Sequence, residues 1–478
     1  PPDGLTPSEQ LHAIRERAME IMRDMRTCWH GELLRELRKA GIHVLEYNDL
    51  NKRQKENVHK YFEEFVFPVL TPIAYDPGRP FPHISNLSLN LAVLIRDTTG
   101  QERFARIKVP GTLPRLVPIK SSSRSSRQYA FVWLGQLIIA HLDMLFPSME
   151  IIEAHPFRVT RNADMVIQEL EADDLLETME ESVRQRRFGT VIRVAVNRAM
   201  PQHMRNILIE NLHLNPEDIY TLEDPLGFSD LMSLYGLDRY DLKDLPFLPA
   251  TPRALSSQSH EGDIFAAIRR EDVLLHHPYD SFSPVVEFLN AAARDPDVLA
   301  IKQTLYRVGR NSPIVETLLR ARENDKQVSV LVELKARFDE ESNIEWARML
   351  EQAGVHVIYG LLGLKTHSKI ALVVRREGER IRRYVHMATG NYNTVTAHQY
   401  TDLGYFTCDE DIGADATDFL NYLTGYSDKK DYRKLLVAPV NLRIGIEDLI
   451  DREIEHQRKG EQGRLIFKMN SLVDKQMI

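Results

Sequence analysis

The stretch from Gly360 to Lys369 delivers one histidine and two lysines from a loop that Gly360 and Gly363 leave free to bend. His367 and Lys369 are spaced H-x-K at the entrance to the apolar run Ile370 to Val374. That run reads as a strand, so a period of two puts both side chains on one face. A neutral imidazole beside an ammonium can attack an electrophilic phosphorus while the cation stabilises charge on the equatorial oxygens. The tripeptide alone is a short signal, and a lone histidine is more often structural. The returning run Ile381 to Ala388 leads into Thr389-Gly390-Asn391-Tyr392-Asn393, which strengthens it. Gly390 permits close backbone approach, and Asn391 can donate to a phosphoryl oxygen or orient the imidazole.

The elements that must position these residues follow a regular alternation. Val298 to Leu305 reads as a strand, and Ser312-Pro313 opens a helix to about Asn324. Val328 to Leu334 is a second strand, Ser342-Asn343-Ile344-Glu345 is a capping box opening a helix that ends at Gly354, and Val355 to Tyr359 is a third strand. Right-handed crossovers make this βαβαβ pattern a parallel sheet. Lys369 to Val374 and Ile381 to Ala388 then form a hairpin around Glu377-Gly378, and Asp415 to Leu423 is a short helix.

In open α/β sheets, ligands sit at the carboxyl ends of the strands. Arg307 lies just past the first strand, Arg337 just past the second, and the loop of Lys365 and His367 follows the third. Either arginine alone reads as a surface partner of Asp339 or Glu340. Cationic groups on three successive loops suit a phosphate-rich ligand, because guanidinium groups grip phosphate with paired hydrogen bonds and lysines act as point charges.

The chain has 478 residues, enough for about three domains, with ordinary globular composition: 43% hydrophobic and 27% charged. Its formal charge of −8 would repel polyanions were the basic residues evenly spread. From 301 to 402, however, 16 Lys and Arg face 12 Asp and Glu, a local positive excess. Cys28 and Cys408 lie far apart, which provides neither a disulfide framework nor a cysteine zinc site and points to a reducing compartment. No apolar run reaches the roughly 20 residues of a membrane span. The expected location is cytoplasmic, with peripheral membrane association left open.

Upstream, Thr6-Pro7-Ser8-Glu9 is a capping box opening a helix to about Gly41, with Gly31 its weak point and Met19, Met22 and Met25 read as core. A second helical pattern covers Lys52 to Phe67. Leu87, Leu89, Leu91 and Val93 alternate as a strand, Phe104 to Val109 forms another, and Ser121 to Arg127 is a Ser/Arg-rich loop. Helix Ala172 to Arg187, strand Thr190 to Val196 and helix Pro201 to Leu212 complete an α+β region with no catalytic grouping of titratable residues. The proline-rich Leu245 to Pro252, followed by a polar run, is the clearest boundary.

H-x-K followed by a Gly-Asn turn resembles the half-site of the phospholipase D superfamily, in which two halves meet and one histidine takes the phosphoryl group. That family usually carries an aspartate five residues after the lysine, where this chain has Val374. A fuller resemblance is to polyphosphate kinase of the first type. It is carried by Leu305-Tyr306-Arg307, the block Val332 to Glu341, Gly354 to Tyr359, Gly363 to Lys369 and Thr389 to Asn393, with Leu274 to Tyr279 upstream and Leu472 to Lys475 downstream.

This resemblance implies a multidomain α/β and α+β protein: residues 1–40 ending an N-terminal helical domain, 41–253 an α+β head domain, 254–435 a first phospholipase D-like catalytic domain, and 436–478 the start of a second. It implies reversible transfer of the terminal phosphoryl group of ATP to inorganic polyphosphate, with His367 as the phosphohistidine. Lys369 and Asn391 serve in catalysis. Arg307 and Arg337 fall at the family's magnesium–phosphate positions; an arginine has no lone pair for Mg2+, so they hold the phosphates that chelate it. Tyr400 matches a nucleotide-contacting tyrosine. His386 matches a histidine the family needs, either as a second acid/base or as support for the hairpin. ATP/ADP and polyphosphate are the implied partners, with homo-oligomers and no nucleic acid. The family's remaining domains lie outside Pro1 to Ile478, so this chain is expected to hold half of a two-half site. The competing readings are a phospholipase D-type phosphodiesterase and a non-catalytic polyanion-binding protein.

Overall fold

The computed structural model describes residues 4–75, 81–120, 128–162, 175–186, 188–256, 263–336, 339–361, 363–425, 427 and 429–478. The expected loop 121–127 lies outside them, as do residues 172–174 and 187 of the expected helix, which is seen as Leu175–Arg186. The chain forms two compact units, residues 1–165 with 184–245, and residues 166–183 with 246–478.

In the first unit, the Thr6 hydroxyl accepts from the Glu9 amide at 3.3 Å and the Glu9 carboxylate accepts from the Thr6 amide at 2.8 Å, which starts the helix Pro7–Cys28. The expected continuous helix is interrupted by a π-helical turn, Trp29–Leu33, spanning Gly31, before Leu34–Lys39 resumes it. The wider turn accompanies burial of Trp29 against Ile42, Val44 and Phe131. Met19 and Met22 pack beside Tyr220 and Leu222, but Met25 is 41% exposed, so the expected methionine core stops short. A six-stranded sheet is ordered Ile73–Tyr75, Glu102–Lys108, Leu89–Arg96, Glu150–Arg161, Val191–Asn197, Ile219–Leu222. Leu89–Arg96 is covered on both faces: Leu91, Val93 and Ile95 join one core, Ala92 and Leu94 another. Leu87, exposed and at φ +57°, precedes this strand rather than sharing its alternation.

The second unit is built on seven strands: β1 Val273–His277, β2 Val298–Leu305, β3 Gln327–Val332, β4 His356–Ile358, β5 Ile370–Glu377, β6 Arg380–Ala388 and β7 Asp402–Thr407. Their order is β1-β7-β6-β5-β2-β3-β4. β2, β3 and β4 are parallel, and every other pairing is antiparallel. Helices α1 Ile264–Arg270, α2 Ser283–Arg294, α3 Pro313–Glu323, α4 Glu340–Gln352, α5 Glu410–Thr424 and α6 Leu442–Arg458 accompany it. One sheet face, with Ile301, Leu305, Ala371 and Phe406, packs on Phe288, Leu318 and Ala347 of α2, α3 and α4. The other, with Leu331, Ile370, Leu372 and Val385, packs on Ala416, Leu420 and Leu423 of α5.

Two helix starts differ from expectation. α4 begins at Glu340 after Asp339, so Ser342 lies inside the helix and caps nothing. Asn343 is committed elsewhere: its amide group donates to the Glu333 carbonyl oxygen at 2.9 Å. α5 begins at Glu410, earlier than the expected Asp415, because the Asp409 carboxylate caps the Ile412 amide at 2.9 Å. Among the described residues no helix is long and apolar enough to cross a membrane.

Candidate active site

β5 is antiparallel to β2, with Gln303 opposite Ala371, and β6 ends beside the start of β5. The carboxyl ends of β2, β3, β4 and β6 therefore share one sheet edge with the first residues of β5 and β7. Arg307, the loop 360–369 and Asn391 all emerge there. Arg337 lies outside the described residues.

Buried groups hold this edge in place. The Glu333 carboxylate, at the end of β3, accepts from the Thr366 amide at 2.7 Å and the Lys335 amide at 2.9 Å. Lys335 in turn donates its ammonium to the Leu364 carbonyl oxygen at 2.9 Å. The Thr304 hydroxyl donates to the Ser368 carbonyl oxygen at 2.8 Å and accepts from the Ile370 amide at 3.1 Å, so the backbone on both sides of Lys369 is pinned to β2. Arg307 sits at φ +51°, a backbone that a non-glycine residue adopts at a cost of about 1–3 kcal/mol. Its carbonyl oxygen accepts from the Asn393 amide group at 3.0 Å, which ties this strained turn to the one after β6. Gly390 is required by crowding, since a Cβ there would stand 2.7 Å from Oδ2 of Asp402.

Tyr306, buried, is the centre of the charged cluster. The His367 ring meets it edge-on, centroids 5.3 Å apart. The Arg307 guanidinium carbon and the ammonium nitrogens of Lys365 and Lys369 lie 5.3, 5.5 and 5.3 Å from the same centroid. The negative face of an aromatic ring attracts each of these cations, which lets three positive charges gather around one imidazole. Removal from water, followed by the charges of Lys369, Lys365 and Arg307, holds the His367 pKa below its ordinary value. Lys369 is only 6% exposed, and that burial, helped by Arg307 and opposed by Asp402, brings its pKa down to about 8. Arg307 also pairs with Asp339, Nε to Oδ2 at 3.6 Å.

His367 and both lysines open onto a cavity of about 480 Å³ whose opposite wall is apolar, with Phe419, Tyr422 and Leu435 to Pro439. A larger cavity, about 670 Å³, lies in the first unit beside Arg53, Lys60 and Lys120 and holds none of the candidate catalytic residues. Asn391 has a buried Oδ1 with no hydrogen-bond partner, next to Tyr392 in the turn after β6. His386 is not in the surface cluster. It is wholly buried, with Nδ1 3.0 Å from the Tyr392 hydroxyl, and burial pushes its pKa down to about 3. Tyr400 is 61% exposed, just after the turn Thr396–His398, and makes no ring contact with the cluster.

Three family models match the chain in succession: the polyphosphate kinase middle domain over residues 53–234, its C-terminal domain 1 over 263–429 and its C-terminal domain 2 over 435–478. A polyphosphate kinase of Prosthecochloris aestuarii is 50% identical over 482 residues, covering 100% of this chain and 67% of that protein. Polyphosphate kinase 1 of Chlorobaculum tepidum is 50% identical over 476 residues, covering 99% of this chain and 68% of its own length. The chain belongs to the polyphosphate kinase family. A crystal structure of polyphosphate kinase from Porphyromonas gingivalis superposes with a TM-score of 0.83 at 29% identity, over 98% of this chain and 69% of that one.

Membership of the polyphosphate kinase family makes the chain a kinase and raises the question of metal. Among the described residues no group of three or more His, Cys, Asp or Glu side chains is placed to hold an ion. The side chains around His367 are cationic and suit phosphate, not direct ligation of Mg2+. Several residues that hold or face this sheet edge were not singled out in sequence: Tyr306, Glu333, Thr304 and Asp402. Glu333 had a signal, an acidic residue at the end of the apolar run Val328 to Leu334, where an unpaired carboxylate would be costly.

Proposed function

We propose that the chain transfers the terminal phosphoryl group of ATP to inorganic polyphosphate, reversibly, through a phosphohistidine at His367. The observation that carries this reading is the His367 imidazole set with Lys365, Lys369 and Arg307 around the Tyr306 ring, where partial removal from water and those cations lower its pKa. A ring nitrogen of His367 attacks the γ-phosphorus, forming a P–N bond as the P–O bond to ADP breaks. ADP leaves with the electron pair of that bond. A terminal oxygen of polyphosphate then attacks the phosphorus, breaking P–N and lengthening the polymer by one unit. Running the two steps backwards makes ATP. Lys369 and Arg307 stabilise charge on the transferring group, and Arg337 joins them on the resemblance alone. Asn391 orients the phosphoryl oxygens. Most of the rate comes from positioning and electrostatics. Arg307, with Arg337 on the resemblance, would hold the phosphate oxygens that chelate Mg2+, which would supply counter-charge to ATP and polyphosphate, and Tyr400 would contact the nucleotide on the resemblance alone. His386, buried and neutral, supports the hairpin turn through Tyr392.

The phosphodiesterase reading draws no support from β5. Val374 pairs with Ala300 and Arg383 in mid-strand and packs beside the α5 core, where the phospholipase D pattern would need an aspartate. The test uses γ-labelled ATP with the intact chain. An acid-labile, alkali-stable label that His367→Ala removes supports the mechanism. Absence of any label from a folded, ATP-binding protein overturns it in favour of a polyanion binder.

A further inference from the structure

Two histidines outside the cationic cluster, His277 and His386, are 3% and 0% exposed, and Nε2 of each lacks a hydrogen-bond partner. Both nitrogens face one spot. β7 runs between β1 and β6, with Gly404 opposite Leu275 on one side and Ala388 on the other. A Cβ built on Gly404 would stand 3.1 Å from Nε2 of His386 and 3.4 Å from Nε2 of His277. Leaving a buried polar nitrogen unpaired costs about 1–3 kcal/mol, so two at one point call for a common explanation.

The far side of each ring fixes its protons. Nδ1 of His277 lies 2.9 Å from the backbone carbonyl oxygen of Asp280. A carbonyl only accepts, so Nδ1 carries the hydrogen and Nε2 of the neutral ring offers a lone pair. Nδ1 of His386 lies 3.0 Å from the Tyr392 hydroxyl, which can take either role. The other acceptor open to that hydroxyl, the His386 carbonyl oxygen, is farther, at 3.4 Å. If Tyr392 donates to Nδ1, His386 carries its hydrogen on Nε2, facing the lone pair of His277. Burial keeps the His386 ring neutral, as a single-tautomer arrangement needs.

We propose that Tyr392, His386, His277 and the Asp280 carbonyl form one directional hydrogen-bond chain across the sheet. Tyr392 donates to Nδ1 of His386, Nε2–H of His386 donates over Gly404 to one internal water, which donates to Nε2 of His277, and Nδ1–H of His277 donates to Asp280. His277 is then a positioning residue, and Gly404 is the gap that lets the two rings meet. The chain ends at Tyr392, between Asn391 and Asn393, and Asn393 holds the carbonyl of Arg307. It therefore sets the turn that presents the phosphate-binding groups. Only this last link rests on the function proposed above.

The test is histidine 15N NMR on the intact chain, with assignments from single histidine replacements. The expected result is Nε2–H on His386 and Nδ1–H on His277. In His277→Phe and in Gly404→Ala, whose methyl meets both nitrogens, His386 should lose its single tautomer. kcat for polyphosphate synthesis should fall about 10-fold with KM for ATP little changed, as for other residues that orient a catalytic group. His277→Gln, with an amide oxygen to accept, should recover most of the loss. Nδ1–H on His386 in the unsubstituted chain overturns the proposal, even if the variants fail to fold. So does a tautomer that both substitutions leave unchanged. A correct tautomer pattern in a protein that forms no phosphohistidine would support the chain and sink the proposed reaction instead.

Discussion

Lys369 is a side chain whose chemistry depends on where the fold puts it. Unfolded, its ammonium titrates near the ordinary lysine value; folded, burial brings it to about 8. Between those values the unfolded chain binds the extra proton, so raising the pH through this window stabilises the fold. In the reaction proposed above, the same titration removes a positive charge that stabilises the transferring phosphoryl group. Activity and stability should therefore move in opposite directions above pH 8. For the attack proposed above His367, with its pKa lowered, must be neutral, which places the acid limb of the rate profile below the ordinary histidine value. We expect a bell-shaped pH profile of kcat with an alkaline limb near pH 8, and Lys369→Arg should carry that limb beyond pH 10. A limb that stays near 8 in the variant would assign it to another group. Lys369→Met should cost about 100- to 1,000-fold in kcat, as loss of a preorganised charge does elsewhere. The H-x-K spacing was legible in sequence because strand period is a local property. Tyr306 was not, because its ring meets three groups of the loop 360–369, some sixty residues on, as well as its neighbour Arg307, and no local spacing encodes that.

At the scale of elements, the loop 360–369 owes its shape less to its own sequence than to Glu333. This carboxylate is buried among apolar neighbours and accepts amide hydrogens from Thr366 and Lys335. Hydrogen bonds to a charged group contribute about 1.5–3 kcal/mol each. Glu333→Ala should raise hydrogen exchange at the Thr366 and Lys335 amides and lower kcat about 10- to 100-fold, while the phosphohistidine still forms slowly. Glu333→Gln, which keeps one acceptor oxygen, should fall between. Unchanged exchange at Thr366 in the alanine variant would show that the loop is held by other contacts. The βαβαβ order, the hairpin around Gly378 and the proline-led start of α3 were readable because turn residues and periodicity mark them locally. The start of α4 was not: Ser342 carries a good capping signature, but Asn343 is drawn to the Glu333 carbonyl and a tertiary bond outweighs the local preference. The antiparallel partners β1 and β7 are likewise set by pairing between distant segments, which periodicity does not report.

At the scale of the whole molecule, each buried core cluster among the described residues falls within a single unit: four in the first and two in the second. This partition makes the reach of a destabilising change predictable, and Asp415 is the place to test it. Its fully buried carboxylate accepts from the Arg433, Lys434 and Leu435 amides at 3.0, 2.7 and 3.0 Å and from the Arg433 guanidinium at 3.1 Å. Burial alone would raise its pKa, but these donors outweigh it and hold the carboxyl below its ordinary value. Its stabilisation is therefore present above the unfolded pKa and is lost as the pH falls through the folded one. The residues it anchors lead into Leu435 to Pro439, the apolar wall beside His367. Asp415→Ala strands three amides, while the half-exposed Arg433 keeps Asp418 at 3.5 Å, and each backbone amide left unpaired costs about 1–3 kcal/mol. Hydrogen exchange read by mass spectrometry should show lost protection in α5 and residues 429–439, with a fall in kcat as the cavity wall loosens. Protection of the strands Leu89–Arg96 and Val191–Asn197 should stay as in the unsubstituted chain. Equal loss of protection in both sets would mean that the two units unfold as one, and that the separate cores do not act as separate cooperative bodies.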